Sequence, residues 1–180
     1  MEARRVIARL AAALSLVAGW AALARLHLGI ANDSGSPDPA TPFFVSDPSL
    51  ARAIYGRLNS AHPTDHYAFN GRAGEGVRAL LLVPARDYEA GFRVYFTLTG
   101  PGLPPEGLTP PPTATPLAIM GRDYRLVQSH APPLPTDGAY RIAVRCDAGT
   151  GAYCLCLGTR EERYADAAMR ARIDRLLDGP

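Results

Sequence analysis

The sequence predicts an all-β protein, a jelly-roll-like antiparallel sandwich, with an apolar helix before it and a short helix after it. Three observations predict this. Between residues 50 and 160, short apolar segments alternate with period two and are bounded by turn residues. The 180-residue chain is long enough for one real core and short for two. Helical periodicity occurs only at the last segment, "YADAAMRARIDRLLDGP".

The N-terminus, residues 1–31, begins with three arginines (Arg4, Arg5 and Arg9) and continues into fifteen uncharged, mostly apolar residues, Leu10 to Ala24. A basic start before such a run is the secretory pattern and places the remainder outside the cytoplasm. Ala22-Leu23-Ala24 and Gly29-Ile30-Ala31 both suit a signal peptidase. Retention as a membrane anchor through residues 6–30 is the other reading, because Leu26, Leu28 and Ile30 lengthen the apolar stretch. Of 19 arginines (there is no lysine), four fall in residues 1–31 with one acid. The rest therefore holds 15 against 16 acids, a net of −1. That balance lacks the basic footprint of nucleic-acid binding.

Residues 32–49, rich in Ser, Pro, Asp and Gly, read as a tether. In residues 50–160 the strands are explicit. Phe92, Val94, Phe96 and Leu98 share one face of "FRVYFTLTG", with Arg93, Tyr95, Thr97 and Thr99 on the other. Tyr140, Ile142, Val144 and Cys146 oppose Arg141 and Arg145, while Tyr153, Leu155 and Leu157 oppose Cys154 and Cys156. "GVRALLLVP" is apolar on both faces, as a strand covered on both sides would be. "DAGTG", Asp147 to Gly151, fits a hairpin loop. Residues 100–116 contain seven prolines and form an extended crossover. Residues 161–180 form a helical tail, whose Met169, Ile173, Leu176 and Leu177 gather on one side. That side docks on the sandwich or on a partner.

In "PTDHYAFNGRAGEGV" the glycines sit between two strands with no lysine and no following helix, so they turn the chain and hold no nucleotide. Tyr67 and Phe69 point inward on alternate positions. "DHYAFNGRAGEGVRALLLV", with "DGAYRIAV" and "GTGAYCLCLG" each led by Gly-x-Tyr, resembles the bacterial pre-peptidase C-terminal (PPC) type of β-sandwich over residues 50–158. The resemblance implies a non-catalytic accessory domain of secreted proteins. The proline loop and the C-terminal helix are additions to that pattern.

Candidate chemistry is sparse, and no cofactor is implied. His62, Asp65 and His66 offer metal-ligand types, but Pro63 and the strand that follows keep them off a common helix face, and solvated loop histidines are the plainer reading. No nucleophile elbow or carboxylate pair is recognisable. The three cysteines are odd in number for an exported chain. Cys154 and Cys156 share a strand face, and the expectation is no bridge between them. Their apolar face calls for a cover, either the C-terminal helix or another protein. In a regular hairpin Arg141 and Arg145 share that face, with Arg93 and Tyr95 on the same side: a cationic surface for acidic glycans or lipid headgroups, or simply a solvated sheet. The sequence thus favours a non-catalytic interaction module, held at the outer face of the membrane and supporting an assembly with other protein subunits. A free secreted glycan- or polymer-binding domain, with Tyr95 and Tyr88 as its aromatic platform, is the second reading. A metal or thiol redox protein is the third.

Overall fold

A computed structural model describes residues 27–161 and 166–179. The apolar segment through residue 26 lies outside the described residues, and among those described no helix is long and apolar enough to cross a membrane. Among the described residues ten strands form two sheets. They are β1 (Leu28–Ala31), β2 (Phe43–Phe44), β3 (Arg52–Leu58), β4 (Thr64–Gly71), β5 (Ala79–Pro84), β6 (Arg93–Thr99), β7 (Thr115–Ile119), β8 (Arg122–His130), β9 (Gly138–Ala148) and β10 (Gly151–Leu157). Helix α1 (Ala85–Glu89) follows β5, and α2 (Ala167–Asp178) ends the chain. The six-stranded sheet runs β1-β3-β10-β5-β8-β7 and the four-stranded sheet β2-β4-β9-β6. Pairing is antiparallel except for β1 on β3 and β2 on β4.

The predicted strand faces are the observed ones. Phe96, Tyr67, Phe69, Tyr140, Tyr153 and Leu155 are fully buried between the sheets. Buried aromatics of this size each remove about 150–250 Å² from water, so these rings dominate the core energetics. β5 is buried along its whole length, as its two-sided apolar pattern requires. The inner core takes Ala79, Leu81 and Val83, and the outer layer takes Leu80 and Leu82.

The hairpin expected at "DAGTG" is absent, and the glycine turn makes none either. β4 and β5 lie in different sheets, and so do β9 and β10. The glycine stretch and "DAGTG" therefore carry the chain from one sheet to the other. Period two fixes which side of a strand is buried, but a strand buried on its inner side satisfies the pattern in either sheet. The hairpin that does form joins β7 to β8 through Met120 and Gly121, whose φ angles of 50° and 79° are both positive, as a two-residue turn of the I′ type needs.

The segment read as a tether is packed. β1, expected in the leader, pairs in parallel with β3 over Leu28–Ala31. Asn32, Ser36 and Val45 are buried, and β2 adds to the edge of β4. Asn32 and Ser36 join a buried hydrogen-bond network instead of solvating a linker, while Asp33 and Asp38 stay exposed. The proline loop covers the open edge of β6: Gln128 accepts from the Phe96 N–H at 2.5 Å and donates to the Pro110 carbonyl at 2.5 Å. That bridge satisfies a strand edge which would otherwise be exposed.

Candidate interaction surface

The outer layer of the six-stranded sheet is covered by α2. Asp166 caps the helix by accepting from the Ala168 and Met169 N–H groups, and Gly179 ends it at φ 78°. Leu177 and Ile173 pack over Ala53, Tyr55, Leu82, Cys154 and Cys156. Met169 sulfur accepts from the Ala31 N–H at 3.2 Å. Arginines fasten the helix to the body. Arg86 donates to the Leu177 carbonyl and Arg57 to that of Leu176, at the negative end of the helix. Arg122 holds Asp178 at 2.7 Å and Asp174 at 3.0 Å, and Arg172 holds Asp33 at 2.7 Å. Asp174 thus pairs with Arg122 of the sheet. Of the two covers expected for the cysteine face, the protein's own helix is the one in place, and Leu176 is half-buried beside it.

The cysteines are free. Cys154 and Cys156 sulfurs lie 3.6 Å apart on the outer side of β10, well beyond bonding distance. Burial pushes the Cys154 thiol well up, and the neighbouring Cys156 thiol adds to that shift, so Cys154 acts as a small apolar packing group; Cys156 is buried beside it. Cys146 packs partly against the inner core, as its parity required.

The metal candidates do not converge. Consecutive parity in β4 sends Asp65 inward and His66 outward. His62 meets Asp65 alone, Nε2 to Oδ1 at 2.9 Å, and among the described residues no three potential ligands cluster. Asp65 instead anchors a buried network that sequence reasoning missed. Its Oδ2 accepts the Tyr153 hydroxyl at 2.6 Å, and its Oδ1 accepts the Ser36 N–H at 2.5 Å. The Tyr153 and Tyr67 hydroxyls lie 2.5 Å apart, and Asn32 donates to Tyr67 at 3.3 Å. Gly56 leaves room for this arrangement, since a Cβ there would stand 2.6 Å from the Tyr153 hydroxyl oxygen. Burial raises both phenols, which stay protonated and serve as donors.

Arg141 and Arg145 are not on the cysteine face. They lie on the opposite outside of the sandwich, because β9 and β10 belong to different sheets. There the register sets out three rows. Phe44, Ala68, Arg141 and Thr99 cross all four strands in one; His66, Ala143 and Thr97 form the second; Thr64, Arg145 and Tyr95 form the third. Arg141 donates to the Pro39 carbonyl, and Arg93 donates to the Tyr88 and Phe92 carbonyls while stacking over the Tyr88 ring at 4.0 Å. Among the described residues none of Arg93, Arg141 and Arg145 meets a carboxylate, whereas Arg86, Arg122, Arg125 and Arg172 on the helix side all do. Burial lowers the His66 pKa, and Arg145 lowers it further. Phe44, 56% exposed, stands at the edge of the same face. The sequence marked the arginines but not Phe44, whose exposure follows from a two-residue strand that only the fold reveals.

No model of a protein family matches the chain, and no curated protein matches its sequence. Among solved structures, the pre-peptidase C-terminal domain of collagenase from Bacillus anthracis matches at 19% identity and a TM-score of 0.41, covering 64% of this chain and 93% of that one. PliG of Aeromonas hydrophila, a periplasmic inhibitor of g-type lysozyme, matches at 13% identity and a TM-score of 0.37, covering 73% of this chain and 99% of that one. The chain thus resembles the PPC-type sandwich at the level of fold, and the likeness carries nothing about function.

Proposed function

We propose that the protein is a non-catalytic, exported interaction module that docks an acidic partner on the outer face of its four-stranded sheet. The carrying observation is the contrast between the two outsides of one sandwich. On the helix side Arg86, Arg122, Arg125 and Arg172 are answered by carboxylates of the same chain, while Arg93, Arg141 and Arg145 are not, and exposed Phe44 stands in the same row as Arg141. Unanswered guanidinium groups next to an exposed aromatic are the residue types that partners select as anchors. The N-terminal segment holds the module at the outer side of the membrane, and the partner is another subunit of the assembly there.

Purification of the full-length protein from native membranes in mild detergent, followed by mass measurement of the intact complex and its chains, tests this. The expected result is a chain retaining its N-terminal segment, in fixed ratio with other subunits. The R141Q/R145Q double variant and F44S should both dissociate from them. A processed chain that runs alone overturns the membrane assembly, and a complex indifferent to both variants overturns the docking face.

A further inference from the structure

Beside the docking face, along the edge of β6, the two sheets part around a cleft of about 320 Å³. Its walls are Tyr88 from α1, Tyr95 from β6, and Pro110 and Pro112 from the proline loop, with Arg93 and Asp147 at the polar side. The two tyrosines are seven residues apart and come from different elements, so their meeting is a product of the fold.

We propose that this cleft binds one ring of an acidic saccharide, of the hexuronate type. Its volume lies at the lower end of the ~300–1,000 Å³ of small-molecule sites, which suits a single ring of a longer chain. Tyrosine and proline faces offer the flat apolar floor on which the C–H face of a sugar packs. Arg93 supplies the charge. Its Nη1 is committed to the Tyr88 and Phe92 carbonyls, and its plane is held against the Tyr88 ring, so the guanidinium is oriented without being neutralised. An oriented, uncompensated guanidinium fits a planar carboxylate. Arg145 stands directly across from Tyr95 and gives the mouth of the cleft a second positive charge. Asp147, which meets no cation among the described residues, is an acceptor for sugar hydroxyl groups. That acceptor separates a polyhydroxylated anion from a bare phosphate or a lipid headgroup, which carry few donors. A proline-rich peptide would share the tyrosine floor but would leave Arg93 unanswered.

The cleft shares Arg93 and Arg145 with the docking face proposed above but not Phe44, which lies on β2 at the opposite edge of the sheet, so the two readings can fail separately. The experiment is calorimetric titration of the detergent-solubilised full chain with trigalacturonate. Maltotriose, phosphatidylglycerol vesicles and a proline-rich decapeptide are titrated in parallel. Trigalacturonate is expected to bind, with an affinity that falls as salt is raised. R93Q and Y95A should each weaken it about tenfold or more, with F44S unchanged. Equal binding of maltotriose, preference for the vesicles or the decapeptide, full affinity in R93Q, or no binding of trigalacturonate would each overturn the proposal. F44S separates the two readings, since it should abolish subunit association and leave this titration intact.

Discussion

Replacing Asp65 with alanine removes the acceptor on which the buried network converges. The side chain is fully buried, and its two oxygens serve the Tyr153 hydroxyl, the Ser36 N–H and His62 Nε2. A hydrogen bond to a charged group contributes about 1.5–3 kcal/mol, but the three do not add. The Tyr153 hydroxyl keeps Tyr67 as a partner, and the His62 ring, 23% exposed, reaches water. The Ser36 N–H has no such escape. Removing the charge also recovers part of the cost of burying it. The balance is the cost of breaking one member of a buried charged network, about 3–5 kcal/mol, out of a total stability of ~5–15 kcal/mol. At about 2–4 °C per kcal/mol for a chain of this size, the Tm falls by ~6–20 °C. Thermal unfolding followed by circular dichroism reads this, and amide exchange across residues 32–36 reads its local part. Asp65→Asn, which keeps the shape and one acceptor, should lose less. A Tm within about 2 °C of the wild type would refute the reasoning, and so would a large loss with exchange at Gly35 and Ser36 unchanged.

Two further outcomes follow from the outer faces. Leu177→Ala leaves α2 short of its deepest contact, and a Leu→Ala change at such a site costs about 2–5 kcal/mol. Labelling of Cys154 and Cys156 by a thiol reagent should therefore accelerate at least tenfold, with Cys146 little changed; two thiols as slow as in the wild type would show that the helix is not their cover. His66 titrates below its ordinary value because of burial first and Arg145 second, against Asp65 and Asp38, which act the other way, while Arg141 adds to Arg145. A depressed histidine pKa means stability present above the ordinary value and lost as pH falls from there through the folded one. NMR titration of R145Q should show the His66 pKa raised, and an unmoved value would remove Arg145 from its surroundings.

Much of the sandwich was legible because each strand reports its own burial. Phe92 to Leu98, Tyr140 to Val144 and Tyr153 to Leu157 alternate so cleanly that their inner faces could be assigned residue by residue. The helix was equally plain, since Met169, Ile173 and Leu177 repeat at four. What alternation cannot carry is the sheet to which a strand belongs. Arg141 and Cys154 were therefore expected on one face and lie on opposite ones. Asp65 was equally opaque. Its parity with Tyr67 and Phe69 points it into the core, but a carboxylate is buried only with partners, and these come from residues 36, 62 and 153. Tyr88 and Tyr95 were named as an aromatic platform from the sequence, but the cleft they line was not legible, because its other wall is the proline loop.

The N-terminal boundary shows how the fold constrains a reading that composition leaves open. Both candidate processing positions, after Ala24 and after Ala31, have suitable small residues. They are not equivalent once β1 is placed. Cleavage after Ala31 would delete Leu28–Ala31 and with them the whole parallel pairing to β3. It would also remove the Ala31 N–H that Met169 accepts and the Ala31 carbonyl to which Arg172 donates. The helix that covers Cys154 and Cys156 would lose its support at one end. Cleavage after Ala24, or none, spares every one of these contacts. If the N-terminal segment is retained, β1 begins only three residues after Arg25. A module anchored that closely would have little reach, and under the proposed assembly its partner would then have to stand beside it at the membrane, which is the arrangement a fixed subunit ratio would report.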